Sequence, residues 1–289
     1  MTGRSAAPMI FDAHVHIFAE DRRAFPILAI PEAPPPPPGS AERLIAEMDR
    51  AGVAKALLVQ TPWYGEDNRY FVQSMRRHAG RFAAIGYFGE PFVPEAPARL
   101  ERQYHEDGFR GLRLHLANPW RNVPDPRIEE GVRAGAADPL FRKARELGVT
   151  VQFLNRIPTH PTILAVADRF PDLAIVVDHL AHPYAAEAPG FASSSTFFEL
   201  ARRPNVFVKV SNHAMHSRLP YPWRDLQDYQ RRVVEQFSPQ RLMWGSNWPM
   251  DTPKVGYQER LDGVRIHLPF LSDADRAAIL GGTARRLWP

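Results

Sequence analysis

Cysteine is absent from the 289 residues. That excludes a disulfide framework, a thiolate metal site and a cysteine nucleophile together. Lysine is scarce: Lys55, Lys143, Lys209 and Lys254 are the only four among 36 basic residues. The net charge is only +4, and the arginines are spread among carboxylates with no basic stripe interleaved with stacking aromatics. Nucleic acid is therefore not an expected partner. No apolar run reaches the roughly 18–20 residues of a membrane helix, and the opening MTGRSAAPMIFDAHVH has no secretory apolar core. The expectation is a cytoplasmic protein without a membrane partner. No GxGxxG follows a strand and no GxxxxGK[ST] occurs, so the phosphate cradles of dinucleotide and P-loop proteins are missing.

What is present is ordinary in amount, 44% hydrophobic and 24% charged, and regular in arrangement. Apolar runs recur at Met9–His16, Val53–Gln60, Phe82–Phe88, Phe109–His115, Val149–Asn155, Leu173–Leu180, Val206–Ser211 and Leu242–Asn247. Each is nearly continuous rather than alternating, as strands covered on both faces are. Helical patterns fall between them. Ser40–Met48 opens on a capping residue and runs to Gly52, Asp67–His78 precedes Gly80, and Asp138–Glu146 begins Asp-Pro and stops at Gly148. Thr162–Phe170, Thr196–Arg202, Trp223–Phe237 and Asp273–Leu280 continue the rhythm. Eight strand–helix repeats in this length predict an α/β fold, a single (β/α)8 TIM barrel over residues 1–289. An open doubly wound sheet is the alternative. The proline run Pro34–Pro38, within a loop over 31–39, reads as a stiff spacer over the barrel mouth.

In such a barrel the chemistry sits at the C-terminal ends of the strands. Those ends carry His14 and His16, Gln60, Arg113 and His115, Gln152 and Asn155, Asp178 and His179, Lys209 and Ser211, and Asn247. Buried polar groups at so many strand ends are hard to explain as packing alone. His14 and His16 alternate on the first strand, so both imidazoles can face the mouth and share a cation. His179 offers a third neutral nitrogen, making His14, His16 and His179 the expected metal set, with structural histidines as the alternative. His182 reads as a substrate contact, while His78, His105, His160 and His267 fall on helices or loops and carry no assigned role.

FDAHVH, VVDHLAHP, RLMWGSNWP and ILGGTARRLW resemble the amidohydrolase-related branch of the metal-dependent hydrolases, nearest its sugar-lactone and pyrone-dicarboxylate lactonases. The resemblance spans nearly the whole chain. It implies a (β/α)8 barrel and hydrolysis, less often decarboxylation, of a small lactone or oxygenated carboxylate. By that similarity His14, His16 and His179 match the strand-1 pair and strand-6 histidine. The eighth-strand motif departs from the pattern: Asn247 stands where many members carry Asp. An amide is neither a general base near neutral pH nor a strong cation ligand. Asp251, four residues on, is one substitute, and activation by a histidine or by the metal is another. A divalent zinc or manganese is thus expected as possible, and its absence is equally compatible with Asn247.

The reading is a lactonase-like hydrolase acting on a small-molecule lactone or cyclic carboxylate. Its expected catalytic residues are His14, His16, His179, Lys209, Asn247 and Asp251. Expected substrate contacts are Arg113, His115, Arg156, His182, Gln152, Asn155, Trp63 and Tyr184. Arg113 and Arg156 suit a bidentate carboxylate clamp or an ion pair. Lys209 either reaches the mouth or pairs with an acid such as Asp178. Trp63, Tyr64, Trp120, Tyr184, Trp223 and Trp248 are available for an apolar wall. A metal-dependent decarboxylase and a non-catalytic metabolite-binding barrel are the rivals. A homodimer is the default assembly.

Overall fold

The computed structural model describes residues 9–31, 33–121, 123–250 and 254–289. Eight strands, β1 (Ile10–Val15), β2 (Val53–Val59), β3 (Phe82–Tyr87), β4 (Gly111–His115), β5 (Thr150–Leu154), β6 (Ile175–Val177), β7 (Val206–Val210) and β8 (Leu242–Trp244), pair in that order. Every pairing is parallel. Each strand lies within its expected apolar run, trimmed mostly where polar strand-end residues turn away from the ladder. A two-residue antiparallel ribbon, Ala117–Asn118 with Val123–Pro124, decorates the loop after β4.

Closure is made just past β8. Asn247 N donates to His14 O at 2.8 Å and His16 N to Trp248 O at 2.7 Å, and Val15 bridges Trp248. Asp12, fully buried, clamps the same seam: its carboxylate accepts from His14 N, Ser246 N and Tyr257 Oη at 3.1, 2.8 and 2.9 Å. Gly245 is required here, because a Cβ on it would lie 2.7 Å from His14 Cβ. The first and last strands are thus joined, and the open-sheet alternative falls away.

The apolar pattern builds two large packed regions and a small third one of Ala185, Trp223, Leu226 and Val255. Phe11, Ala13, Leu57, Val59, Ala83, Ile85, Val176 and Met243 fill the barrel interior together with Trp288. Trp288 is fully buried, donates from Nε1 to Thr150 Oγ1 at 3.3 Å, and stoppers the N-terminal end of the barrel. The larger region lies between strands and surrounding helices. The helix Ala41–Ala51 shows how the sequence makes one: Ser40 caps its start, Gly52 ends it at φ +73°, and Leu44 and Met48 face the strands. Among the described residues no helix is long and apolar enough to cross a membrane.

Several expected helices are shorter than their patterns. Thr196–Arg202 is a helix over Ser195–Glu199 followed by a 3-10 turn, and Asp273–Leu280 passes at Ala278 into a π-turn ending at Gly282. Trp223–Phe237 begins as a 3-10 turn and is helical from Gln227. The helices Ala96–Arg102, Pro126–Ala134 and Tyr257–Arg265 were not expected, their apolar stripes being interrupted by charge or proline.

Candidate active site

With one end of the barrel plugged, the polar strand ends gather at the other. Asp178, immediately after β6, is completely buried. Its Oδ2 accepts from Arg113 Nε at 2.9 Å, and its Oδ1 lies 3.3 Å from both Lys209 Nζ and His14 Nδ1. Burial by itself would raise the Asp178 pKa, but Lys209, Arg113 and His14 outweigh it and hold the carboxyl well below its ordinary range. Lys209 is equally buried. Burial pulls it down to about 8 against the opposing pull of Asp178. Its ammonium also donates to Gln152 Oε1 and lies 3.0 Å from His14 Nδ1. His14, Lys209, Gln152 and Asp178 therefore form a sealed polar layer beneath the mouth.

The imidazoles in and above this layer are neutral, because burial depresses all of them: His16 to about 3, and His14, His115, His179 and His182 well below their ordinary value. Their partners fix which nitrogens are bare. His16 Nδ1 sits 2.7 Å from Val59 O, so it carries the proton and Nε2 is left as an acceptor. That Nε2 lies 3.2 Å from His14 Nε2, close to the roughly 3.3 Å that two nitrogens subtend on one tetrahedral zinc. His14, Asp178 and His179 each bring a ligand atom within 4.8 Å of the others. The donors of His14, Asp178 and His179 fit a cation; Asp178 joins two of the three expected histidines in that cluster, and His16 adjoins it through His14.

His182 Nε2 lies 2.9 Å from Arg156 Nη1. A guanidinium can only donate, so His182 Nε2 accepts and the His182 proton is on Nδ1. His179 Nδ1 pairs with Ser211 Oγ at 2.8 Å, and its other nitrogen has no partner among the described residues. Both histidines are aimed by an unusual backbone. His179, Leu180, Ala181 and His182 have φ of +55, +54, +61 and +57°, a left-handed turn that costs roughly 1–2 kcal/mol per residue and is of the kind concentrated at functional sites.

The mouth encloses a cavity of about 420 Å³. His16, Arg113, His115, His179, His182 and Asn247 line its polar side, with Asn212, Arg156 and Lys254 around them. Its apolar lining is Pro34, Pro37, Pro62, Trp63, Pro119 and Trp120, with Thr61 among them, and Leu154, Met215 and Met250 from β5 and the loops after β7 and β8. The proline loop thus lies over the mouth as its composition suggested. Arg113 spends only Nε on Asp178 and keeps its terminal nitrogens unpartnered among the described residues. Asn247, at φ +59°, donates from Nδ2 to Asn212 Oδ1 at 3.0 Å.

Not every expected residue reaches the cavity. Lys209 and Gln152 lie under it, paired with Asp178 and with each other rather than open to a substrate. Asn155 is fully buried, and neither side-chain amide atom has a partner among the described residues. Tyr184 is 42% exposed and off the cavity wall, because the left-handed turn directs the following loop outward. Of the other aromatics, Trp63 and Trp120 line the cavity. Tyr64 packs in the core with Oη accepting from Ala19 N at 2.8 Å, Trp223 stacks on His213 at 5.1 Å, and Trp248 sits in the barrel seam. Asp251 lies outside the described residues. Sequence reasoning missed Asn212, Met215, Met250 and Lys254, which come from loops without motif character. It saw Asp178 only as a partner for Lys209; the Asp-His doublet at a strand end was the available signal.

A family model described as amidohydrolase matches residues 11–289. An L-fucono-1,5-lactonase of Burkholderia ambifaria is 33% identical over 220 residues, covering 74% of this chain and 70% of the relative. A 2-pyrone-4,6-dicarboxylate hydrolase of Comamonas testosteroni is 25% identical over 299 residues, covering 96% and 90%. Among solved structures, an amidohydrolase of Burkholderia multivorans with bound zinc superposes with a TM-score of 0.74 at 23% identity, covering 96% of this chain and 98% of that one.

Proposed function

This chain belongs to the amidohydrolase family, and on that premise we propose that it is an enzyme hydrolysing the ester bond of a small lactone that carries a carboxylate. The curated relatives named as lactone hydrolases support the reaction. The observation that carries the carboxylate is Arg113, whose Nε is held by Asp178 while its remaining N–H groups face a cavity lined by neutral imidazoles.

The reaction adds water to the acyl carbon and breaks the acyl–oxygen bond, leaving a hydroxy acid and one released proton. Lactone opening needs donors for the developing oxyanion and an acceptor for the water proton. His182 Nδ1–H and the Arg113 N–H groups supply donors. Asn247 cannot take the proton, and Asp178 is held ionised by two cations that oppose its protonation. The acceptor is His179, whose Nδ1 is steadied by Ser211 while its second nitrogen is open. Lys209 acts beneath the reacting groups by fixing His14 and Asp178. A divalent ion such as zinc or manganese held by His14, His16 and His179 would take that His179 nitrogen as a ligand, and would then replace it in acidifying water or polarising a carbonyl.

Proton release across a panel of carboxylated lactones, followed at constant pH, tests this reading. Turnover that falls about 100-fold or more in His179→Ala, and a KM raised in Arg113→Met, are the expected results. Release of carbon dioxide from an aromatic or enol acid without lactone turnover would replace the hydrolase by the decarboxylase. Thermal stabilisation by lactones with no turnover of either kind would leave a binding barrel.

A further inference from the structure

We infer that the substrate is an anionic lactone with an apolar alkyl or aryl body, and that the cavity disfavours polyhydroxylated sugar lactones; this rests on the hydrolase reading above. The cavity lining is of two kinds. One kind offers guanidinium and imidazole groups. The other is built from Pro34, Pro37, Pro62, Pro119, Trp63 and Trp120, brought together from the loops after β1, β2 and β4. Proline has no backbone N–H and presents only CH groups from its ring. The tryptophans are fixed rather than adaptable: Trp63 stands edge-on to Trp120 at 5.6 Å and is backed edge-on by Phe18 at 5.5 Å.

A sugar lactone carries hydroxyls around its ring, so any binding pose turns some toward this wall. Within the wall those hydroxyls lose water and meet one side-chain hydroxyl, Thr61 Oγ1, unpartnered among the described residues, so each further hydroxyl costs roughly tenfold in binding. An alkyl or aryl body on the same ring gains contact area instead. At about 420 Å³ the cavity is near the small end of ligand sites, so a body anchored on Arg113 lies close to the wall.

The experiment compares kcat/KM for three lactones of one ring size: a carboxylated alkyl or aryl lactone, an aldonolactone, and a neutral alkyl lactone. The carboxylated apolar lactone should exceed the aldonolactone at least 100-fold and the neutral one at least tenfold. An aldonolactone turned over equally well or better overturns the inference and leaves the hydrolase intact. Trp120→Ala should erode the preference for the carboxylated apolar lactone at least tenfold, while Trp120→Phe keeps it within threefold. A preference unchanged in Trp120→Ala also overturns it. Tryptophan fluorescence titrated with the open-chain hydroxy acids separates the two readings. Quenching by an aryl hydroxy acid but not by an aldonate, in an enzyme that turns over no lactone, upholds the wall and sinks the hydrolase. Quenching by neither, or by both equally, overturns the wall.

Discussion

Asn247 shows how much one atom changes a site. Its Nδ2 donates to Asn212 Oδ1, so the amide is integrated as a donor where a carboxylate could only accept. The buried charge around it is already Asp178 against Lys209 and Arg113. A dication on the histidines would therefore sit beside two cations and one anion. Asn247→Asp supplies the missing negative charge. It should tighten zinc at least tenfold, read by metal retained per chain after graded chelator dialysis. Equal retention in both proteins would show that position 247 does not face the ion.

At the scale of elements, the site depends on the seam between β1 and β8 more than on any loop. The pairing of β1 with β2 slips between Asp12 and Val15, and this irregularity falls where His14 and His16 leave the strand. Opposite them, Gly245 allows the chain after β8 to approach His14 closely enough for Asn247 and Trp248 to bond its neighbours. Gly245→Ala would press a methyl within 2.7 Å of His14 Cβ and 3.1 Å of His14 N, neither of which is a flexible side-chain end. The expected outcome is about 1–3 kcal/mol less stability in denaturant unfolding and a larger loss of turnover than of stability, because His14 and Asn247 move together. Wild-type turnover in this variant would show that the seam tolerates a shift without disturbing the site.

Across the whole molecule, buried neutral histidine is a recurring feature with a stability consequence. Burial holds His160 and His213 at about 4, against which their bonds to Ala181 O and Gln230 push weakly upward. His16 and His216 are lowered further, to about 3. Unfolding lets each regain an ordinary pKa near 6.5. Between there and the folded value the unfolded chain binds more protons, so stability is full above about pH 6.5 and is lost as pH falls. At pH 5 each such histidine costs about 2 kcal/mol. Asp12 works the other way: raised by burial to about 6, it is destabilising when ionised and returns about 1 kcal/mol by pH 5. Four histidines outweigh one carboxyl, so Tm should drop by at least about 10 °C between pH 7 and pH 5. A flat Tm over that interval, measured by scanning calorimetry, would contradict the burial of these rings as neutral species.

The strands, the barrel they close into, and the histidines at their ends were legible in the sequence because each rests on local pattern. Continuous apolar runs mark strands covered on both faces, and alternation puts His14 and His16 on one side. What only the tertiary structure decided is which strand-end residues face the substrate. Arg113, Gln152 and Lys209 look alike along the chain, as polar residues in or at the end of apolar strands. Yet Arg113 reaches the cavity while Gln152 and Lys209 lie sealed below it, because a buried Lys209 must find Asp178 and Asp178 needs two cations to remain ionised. The left-handed turn at His179–His182, which aims one imidazole at Ser211 and turns Tyr184 away, has no glycine to announce it. The apolar wall is assembled from loops far apart in sequence, and its shape comes from packing across the mouth that no local pattern encodes.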